Sequence, residues 1–546
     1  MSFGELAAAE AALRPDHALR NPRLRQAADL LNDGRYAAAS RIVREHLEAQ
    51  PADASGFWLL AEIATRQKQD REAERLVTKA LQFAPNSVPL RHAYGRALLR
   101  SKKFDSALRV ADELVKIEPT NPLFQSLRAL ACEGVGDNAA AGKAWKDILE
   151  RYPDQPDFWR RYGHVLRAAG ARAACIDAYR KAIEIDPAFG HAYWALANLK
   201  TYRFTDAELA LMEEQLARED LSAADRVAIL FSLGRAYGDR KEYQKSFAQY
   251  ARANALQRLE ANHDPDLLTR YVARCKRIFT PEFFAARRGH GCDSREPIFL
   301  VGMMRAGSTL VEQILASHSQ VEGTRELFEL AQIAGEMENE AGERLPEILE
   351  NVDVGALGRW GGRYHESVRV HRRQERRPFF LDKMGANFVH VGLLHLILPR
   401  AKIVDVRRHP LACGFSNFAE YFASGQNFAY RLPDIGRMYR DYVELMAHFD
   451  RVLPGKVHRV FYEQLIEDPE REVRRLLDYL ALPFETSCLQ FYNTGRVLTT
   501  ASSEQVRQPI YRAALEQWRN YEPWLGPLKA ALGPVLEAYP AVPEFS

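Results

Sequence analysis

The segment "PIFLVGMMRAGSTLVEQILASH", residues 297–318, contains the residue types of a phosphate-binding loop. An apolar run leads to Gly302, and Gly-Ser-Thr follows at 307–309, where a helical pattern begins. Such loops turn backbone N–H groups and a helix N-terminus towards an anion. The lysine that clamps a nucleoside triphosphate is absent, and Arg305 lies inside the loop instead. The segment therefore predicts a site for a phosphate ester; a tight strand–helix turn without a ligand is the alternative.

A second polar cluster lies in "VDVRRHPLACGFSNF", residues 404–418. Arg408 ends a predicted strand, and Ser416 lies eight residues later, about two helical turns further on. Pro410 suits the first turn of the intervening helix. An arginine at a strand end and a serine on the next helix can bind one oxyanion together. A surface salt bridge of Arg408 is the alternative.

These clusters need a scaffold that brings strand ends together. Four short apolar runs, each followed by a helical pattern, begin at Pro297, Pro378, Ala401 and Lys456. Strands alternating with helices predict a parallel sheet with helices on both faces. Ligands of such sheets bind beyond the carboxyl ends of the strands. Each polar cluster lies just past a predicted strand end, so we predict one site in an α/β domain over 297–546.

The first half of the chain is a repeat array. Prolines at 51, 85, 119, 153 and 187 are 34 residues apart, and small residues recur at matching offsets, as Ala39, Ala73, Ala107 and Ala141 do. This pattern resembles the tetratricopeptide repeat, in which pairs of antiparallel helices stack. We predict about six pairs forming a solenoid over 1–260 and a helical linker over 261–296. We expect the array to bind a protein or peptide on its surface. The alternative is that it serves only as a scaffold or as an arm that makes a homodimer.

Composition limits the class of partner. The 546 residues include 75 basic and 72 acidic side chains, and a net charge of +3 predicts no nucleic-acid partner. The six cysteines lack paired spacing, which favours a reducing compartment. No segment is apolar enough to predict a membrane span, and the N-terminus does not resemble a signal peptide. We expect a cytoplasmic protein.

The two clusters, in this order, resemble the sulfotransferases that use 3′-phosphoadenosine 5′-phosphosulfate. "GMMRAGSTL" is similar to the 5′-phosphosulfate loop of that family, and "VRRHPLACGFS" is similar to its 3′-phosphate motif. The similarity extends from Pro297 to Trp524. Within the family, the chain resembles the tyrosylprotein sulfotransferases and their bacterial relatives fused to tetratricopeptide repeats. The implied fold is an all-α repeat solenoid followed by a P-loop-like α/β sulfotransferase domain.

The resemblance implies which residues bind the donor and what they do. Arg305 contacts the phosphosulfate, Arg408 and Ser416 hold the 3′-phosphate, and the loop supplies further donors. The implied binding set is Arg305, Ala306, Gly307, Ser308, Thr309, Arg408, Ser416, Tyr462 and Ser502.

The resemblance also implies the catalytic groups. Glu326 is the general base, Lys383 steadies the leaving phosphate, and Arg305 and Ser502 contact the transferred group. No metal is implied, and no cluster of ligands is spaced for one. Each residue also has a structural alternative: Glu326 as an acid at a helix N-terminus, Lys383 as a surface lysine and Ser502 as a helix N-cap.

Two positions depart from the family pattern. Gln517 and Glu420 stand where the family has basic residues. Both changes remove positive charge from the nucleotide site. Arg512 and Arg519 are the candidates to replace it.

The acceptor is predicted from the resemblance as protein tyrosine. The arginine-rich stretch "RVHRRQERR", residues 369–377, would attract acidic acceptor peptides or would be a solvated surface. A carbohydrate, a lipid or a small phenol is the alternative acceptor. Two other functions stay open: a kinase or nucleoside triphosphatase, and a non-catalytic repeat adaptor with a degenerate nucleotide domain.

Overall fold

The structure is a computed structural model. It describes residues 21–261, 263–324, 326–372, 377–422, 425–493 and 515–545. The chain forms two compact units, one up to Leu196 and one from Ala197 onwards. Residues 197–260, which the sequence grouped with the solenoid, pack within the second unit.

The first unit consists of antiparallel helix pairs, as the repeats predict. Five pairs cover residues 22–185, and each pair occupies about one 34-residue period. The helices are α1 Pro22–Asn32, α2 Tyr36–Ala49, α3 Ala54–Arg66, α4 Asp70–Phe83, α5 Val88–Arg100, α6 Phe104–Ile117, α7 Pro122–Val135, α8 Asn138–Arg151, α9 Pro156–Ala168 and α10 Arg172–Ile185.

The small residues lie where the helices of a pair approach each other. Ala39, Ala73 and Ala107 are at most 1% exposed. A Cβ atom at Gly163 would lie 2.4 Å from Tyr179 Cε1, on the partner helix. A larger side chain at these positions would therefore separate the two helices.

The turns inside the pairs repeat as regularly as the helices. A residue with positive φ occurs at 34, 68, 102, 136 and 170, where the first helix of each pair ends. Three of these residues are glycine, which takes this conformation without strain. Lys68 and Lys102, with φ of 59° and 61°, occupy the other two positions.

The second unit starts with helices. α11 Gly190–Ala197 straddles the division, and α12 Asp206–Ala217 follows it. α13 Ala223–Asp239 and α14 Tyr243–Glu260 form the sixth predicted pair. The predicted linker contains α15 Leu267–Ile278 and α16 Pro281–Ala285.

The rest of this unit is a five-stranded parallel sheet with the order β2-β3-β1-β4-β5. Its strands are β1 Pro297–Val301, β2 Val321–Gly323, β3 Phe379–Lys383, β4 Lys402–Arg407 and β5 Val457–Phe461. Its helices are α17 Ser308–Ala316, α18 Glu329–Ala341, α19 Val354–Arg369, α20 Val391–Ile397, α21 Pro410–Phe418, α22 Leu432–Val452, α23 Tyr462–Glu467, α24 Pro469–Leu480, α25 Gly526–Leu532 and α26 Pro534–Ala538.

Helices cover both faces of the sheet, as predicted. Ile298 and Leu300 of β1 share a core with α17 and α24. Phe299, which points to the opposite face, packs against Tyr364 of α19 with ring centroids 5.5 Å apart. Because both faces of β1 are buried, β1 is a continuous apolar run in the sequence.

The four predicted strands are β1, β3, β4 and β5, and the fifth was missed. β2 has only three residues, "VEG", and includes the buried Glu322. Such a segment has neither the length nor the apolar run that identifies a buried strand.

Candidate functional site

The loop after β1 is shaped by three residues with positive φ: Gly302 at 138°, Arg305 at 67° and Gly307 at 102°. A Cβ atom at Gly302 would lie 2.4 Å from the carbonyl oxygen of Val406, so the loop starts in direct contact with β4. The Gly302 amide donates to the carbonyl oxygen of Gly385, 3.1 Å away, just after β3. The loop is therefore held between the carboxyl ends of the strands that flank β1.

The two sequence clusters meet at this loop. Arg305 Nε donates to Ser416 Oγ over 3.0 Å. Arg408 Nη1 donates to the main-chain oxygen of Arg305 over 3.3 Å. We call Arg305, Arg408 and Ser416 the phosphate end of the site. Residues about 110 positions apart in the sequence therefore present two guanidinium groups and a hydroxyl at one strand edge.

Hydrogen bonds from α21 support the loop from below. Asn417 Nδ2 donates to the carbonyl oxygen of Met304 over 2.9 Å, and Cys413 Sγ donates to the same oxygen over 3.2 Å. Ala306, beside Arg305, is 1% exposed. These contacts hold the backbone of the loop independently of the arginine side chains.

The adjacent arginines of β4 have different surroundings. Arg407 is 1% exposed, and its Nη2 atom lies 2.9 Å from Asp405 Oδ2 within the core. Burial would raise the pKa of Asp405, but the charges of Arg407 and Arg459 outweigh it and the pKa is lowered. Arg408 has the opposite orientation and reaches the loop. Arg407 is thus an ion-paired residue of the core, and Arg408 is a residue of the loop surroundings.

Tyr462 connects the end of β5 to the same place. The Arg408 guanidinium lies 4.9 Å from the centre of the Tyr462 ring. A Cβ atom at Gly307 would lie 2.4 Å from Tyr462 Cδ2. Gly307 is therefore fixed by its conformation and by this ring, ahead of Ser308 and Thr309 in the first turn of α17.

At the other side of the loop, β3 ends with Lys383, which is 4% exposed. Its Nζ atom lies 2.7 Å from Glu326 Oε1 and 3.8 Å from Glu312 Oε2. We call Glu326 and Lys383 the transfer end of the site. The Glu326 side chain is 50% exposed, whereas Glu312 is 3% exposed. One carboxylate of this cluster is accessible and the other is enclosed.

Asp382 precedes Lys383 and points into the core. It is 0% exposed, and Tyr364 Oη donates to its Oδ2 atom over 2.7 Å. Burial raises the pKa of Asp382 to about 8. Because successive side chains of a strand point to opposite faces, Asp382 lies in the core and Lys383 lies at the site.

The remaining predicted residues are placed as follows. Ser502 and Arg512 lie outside the described residues. Gln517 begins a 3₁₀ helix, and Arg519 is exposed and paired with Glu516 at 3.3 Å. Glu420, by contrast, is buried and lies 3.1 Å from Lys200 Nζ.

Two arginines of the stretch 369–377 have structural contacts. Arg372 contacts Glu296 and Glu322. Arg377 Nη1 donates to the carbonyl oxygens of residues 316, 318 and 321, the last over 2.6 Å. Both arginines therefore hold the amino-terminal edge of the sheet, opposite the site.

Sequence reasoning missed three residues around the site. Glu312 is an acidic residue within an apolar helix face, three residues after Thr309, and that position was a usable signal. Asn417 follows Ser416 directly and has no signal of its own. Lys200 is more than 200 residues from its partner, so no local pattern reveals it.

Comparison with protein families identifies the second unit. Residues 297–486 match the model described as "Sulfotransferase family". The chain contains a sulfotransferase domain. Residues 24–158 match "Cytochrome c-type biogenesis protein H TPR domain" and residues 156–189 match "Tetratricopeptide repeat". The sulfotransferase domain is thus preceded by tetratricopeptide repeats, as the two sequence patterns predicted.

Relatives of the whole chain and of its parts were found. An "Uncharacterized protein" of Aquifex aeolicus (strain VF5) is 28% identical over 522 residues, which cover 91% of this chain and 68% of that protein. "Small glutamine-rich tetratricopeptide repeat-containing protein 2" of Mycosarcoma maydis is 26% identical over 95 residues, 17% of this chain and 27% of that protein.

Two solved structures are similar to part of the chain. The sulfotransferase domain of the Synechococcus PCC 7002 olefin synthase is 20% identical, with a TM-score of 0.31, and covers 42% of this chain and 88% of that chain. The sulfotransferase domain of the curacin biosynthetic pathway is 17% identical, with a TM-score of 0.30, and covers 42% and 91%.

Two features are absent from the residues that the structure describes. Among them, no group of three or more His, Cys, Asp or Glu side chains is arranged to hold a metal ion. No helix in these described ranges is long and apolar enough to span a membrane.

Proposed function

We propose that the protein transfers a sulfuryl group from 3′-phosphoadenosine 5′-phosphosulfate to an acceptor hydroxyl, with protein tyrosine as the acceptor. The observation that carries the proposal is the 3.0 Å contact between Arg305 and Ser416, because it joins the two motifs into one anion site. We place the reaction in the cytoplasm, on the basis of the unpaired cysteine spacing in the sequence.

The phosphate end fits a ligand with several negative charges. Two guanidinium groups lie at one loop, and charge-assisted hydrogen bonds from arginine to phosphate are among the strongest in proteins. Gly307 directly precedes α17, so the loop leads into the N-terminus of that helix. Backbone N–H groups in this arrangement favour an anion.

The transfer end supplies the groups that the reaction needs. The acceptor oxygen forms a bond to sulfur while the bond between sulfur and the 5′-phosphate oxygen breaks. The carboxylate of Glu326 takes the acceptor proton, and its exposure leaves it accessible to an acceptor. Lys383 is held between two carboxylates and stabilises the charge that develops on the leaving phosphate. The products are the sulfated acceptor and adenosine 3′,5′-bisphosphate.

The repeats support a protein acceptor. Arrays of helix pairs present an extended surface to other proteins, and a tyrosine in a protein segment would be a substrate that such a surface can recruit. A carbohydrate, lipid or small-phenol acceptor would leave the array to bind a partner instead.

The test is transfer from ³⁵S-labelled donor to matched acceptors. A tyrosine-containing acidic peptide, the same peptide with phenylalanine, an oligosaccharide and a simple phenol are offered in parallel. The proposal expects label on the tyrosine peptide alone. Label on another acceptor would support sulfuryl transfer as the reaction but would show that protein tyrosine is not the acceptor.

Calorimetry with adenosine 3′,5′-bisphosphate tests whether the protein binds the nucleotide of the proposed donor. Binding is expected without added metal. No binding, together with no transfer to any acceptor, would favour the non-catalytic adaptor. Magnesium-dependent turnover of ATP would favour the nucleoside triphosphatase.

A further inference from the structure

Glu420 is a negative charge next to a site that binds an anion in the proposed function. It is 4% exposed, and its Oε2 atom lies 3.7 Å from Arg305 Nη2. The same oxygen lies 3.1 Å from Lys200 Nζ. Glu420 thus lies between the loop arginine and a lysine from the helices that precede the sheet.

Lys200 is held firmly in this position. Its main-chain oxygen accepts hydrogen bonds from Arg203 Nη1 over 3.0 Å and from Arg235 Nη2 over 2.8 Å. Both arginines also contact Asp239. Lys200 has a φ of 64°, in the left-handed region that a side chain such as lysine adopts only under strain. The turn between α11 and α12 is therefore fixed by several contacts at once.

The helices after Lys200 pack directly on the segment that carries Ser416 and Glu420. Phe231 of α13 stacks on Tyr421, with ring centroids 5.3 Å apart. Asn254 Nδ2 of α14 donates to the carbonyl oxygen of Phe418 over 2.8 Å, and Asn254 is 1% exposed. These helices are thus part of the wall behind the phosphate end.

The charges of this cluster show what Lys200 does. A buried carboxylate is costly unless it is paired. Burial would raise the pKa of Glu420, but the charges of Lys200 and Arg305 outweigh it and lower the pKa. Burial lowers the pKa of Lys200 to about 8, so Lys200 is protonated at pH 7 and the three side chains then carry one net positive charge. Without Lys200, Glu420 would neutralise Arg305 alone, and the net charge would be zero.

We propose that Lys200 is a positioning residue of the donor site, which neutralises Glu420 and thereby leaves the positive charge of Arg305 for the donor phosphates. This inference rests on the proposed function, since it concerns the affinity of the same site. Residues 197–260 accordingly belong to the catalytic unit, although their sequence resembles the repeats.

The test compares Lys200→Met, Glu420→Gln and the double variant by calorimetry with adenosine 3′,5′-bisphosphate and by the donor KM. Lys200→Met should weaken binding about tenfold, because a buried carboxylate then competes for Arg305. Glu420→Gln should bind as tightly as the original protein or more tightly, because it removes a negative charge. The double variant should return to within about threefold of the original. Lys245→Met is the control, since Lys245 is exposed and paired with Glu242.

Weaker binding by Lys200→Met without weaker binding by Glu420→Gln would exclude a merely structural role. A pair that only stabilises the fold would weaken binding in both variants, or in neither, and either result would overturn the inference. Should Lys200→Met not fold, Glu420→Gln decides alone, since weaker binding by this near-isosteric variant contradicts charge neutralisation. Absence of binding by the original protein would instead reject the proposed function.

Discussion

At the phosphate end, Arg305 exposes 14% of its side chain and the neighbouring Glu420 4%, whereas Glu326 at the transfer end exposes 50%. The phosphate end consists of half-buried side chains, and hydrogen bonds join Arg305 to Ser416 and Arg408 to the loop backbone. The transfer end combines an enclosed lysine with an accessible carboxylate. The difference suits a donor that is the same in every cycle and an acceptor that must enter from outside.

Among the variants that distinguish the transfer end from the phosphate end, Glu326→Gln is expected to have the largest effect on turnover. The amide keeps the shape of the side chain but cannot take a proton, so kcat should fall about 10²–10⁴-fold. Calorimetry should show unchanged binding of adenosine 3′,5′-bisphosphate, because the phosphate end is intact. Glu336→Gln is the control, since Glu336 makes an ion pair with Arg363 on the surface. Near-normal turnover of Glu326→Gln would show that another group is the base.

Arg305→Ala should have the complementary effect on binding. It removes a guanidinium that contacts Ser416, and the loss in kcat/KM should be about 10²–10³-fold, similar to the loss of one oxyanion donor. In contrast to Glu326→Gln, the loss should include weaker binding of adenosine 3′,5′-bisphosphate. Arg359→Ala, at an exposed arginine that pairs with Asp353, should change neither quantity. Unchanged bisphosphate affinity in Arg305→Ala would remove this residue from the phosphate end.

Gly307→Ala tests the shape of the phosphate end without changing its charge. Alanine would be strained at a φ of 102°, and its Cβ atom would lie 2.4 Å from Tyr462. We expect a loss of about 1–3 kcal/mol in unfolding free energy and about tenfold weaker bisphosphate binding. Gly362→Ala, in α19, has no atom within 4 Å of the added Cβ and is the control. Equal stability of both variants in a denaturant titration would contradict the close contact.

The smallest effect on catalysis is expected for Asp382, beneath the transfer end, where the effect is on the pH dependence of stability. The folded-state pKa of Asp382 is about 8, above the value of about 4 in an unfolded chain. The native state therefore keeps a proton that the unfolded state releases, and stability from this group is lost as pH rises from about 4 to 8. Asp382→Asn should show a smaller fall in Tm over this window. Parallel Tm profiles for the two proteins would show that Asp382 does not titrate in this way.

Much of the architecture follows from sequence patterns. The 34-residue period predicts the helix pairs because each pair repeats the same close contacts at Ala39, Ala73 and Ala107. The strand–helix alternation predicts β1, β3, β4 and β5 because each is a short run that contains apolar residues and is followed by a helical pattern. β2 fails this test because it is short and includes a buried glutamate.

The site was predictable only where its residues lie within one motif. Arg305 and Ser416 each belong to a local spacing, and their meeting follows from the parallel sheet. Lys200 belongs to no motif, and its contact with Glu420 depends on the packing of Phe231 and Asn254 on one segment. The pairing of Lys200 with Glu420 arises only when the chain folds, so neither the motif of Arg305 nor the motif of Ser416 predicts it.

The division at Leu196 and Ala197 also bears on how such a gene could change length. Duplication or deletion of one 34-residue cassette before residue 186 would alter the number of helix pairs and leave every codon from 197 onwards unchanged. A duplication or deletion of the same length between 197 and 260 would displace Lys200 or Phe231, which stacks on Tyr421. A change in the number of upstream pairs would therefore keep the residues that contact Glu420 and Tyr421, whereas a change in the final pair would displace them.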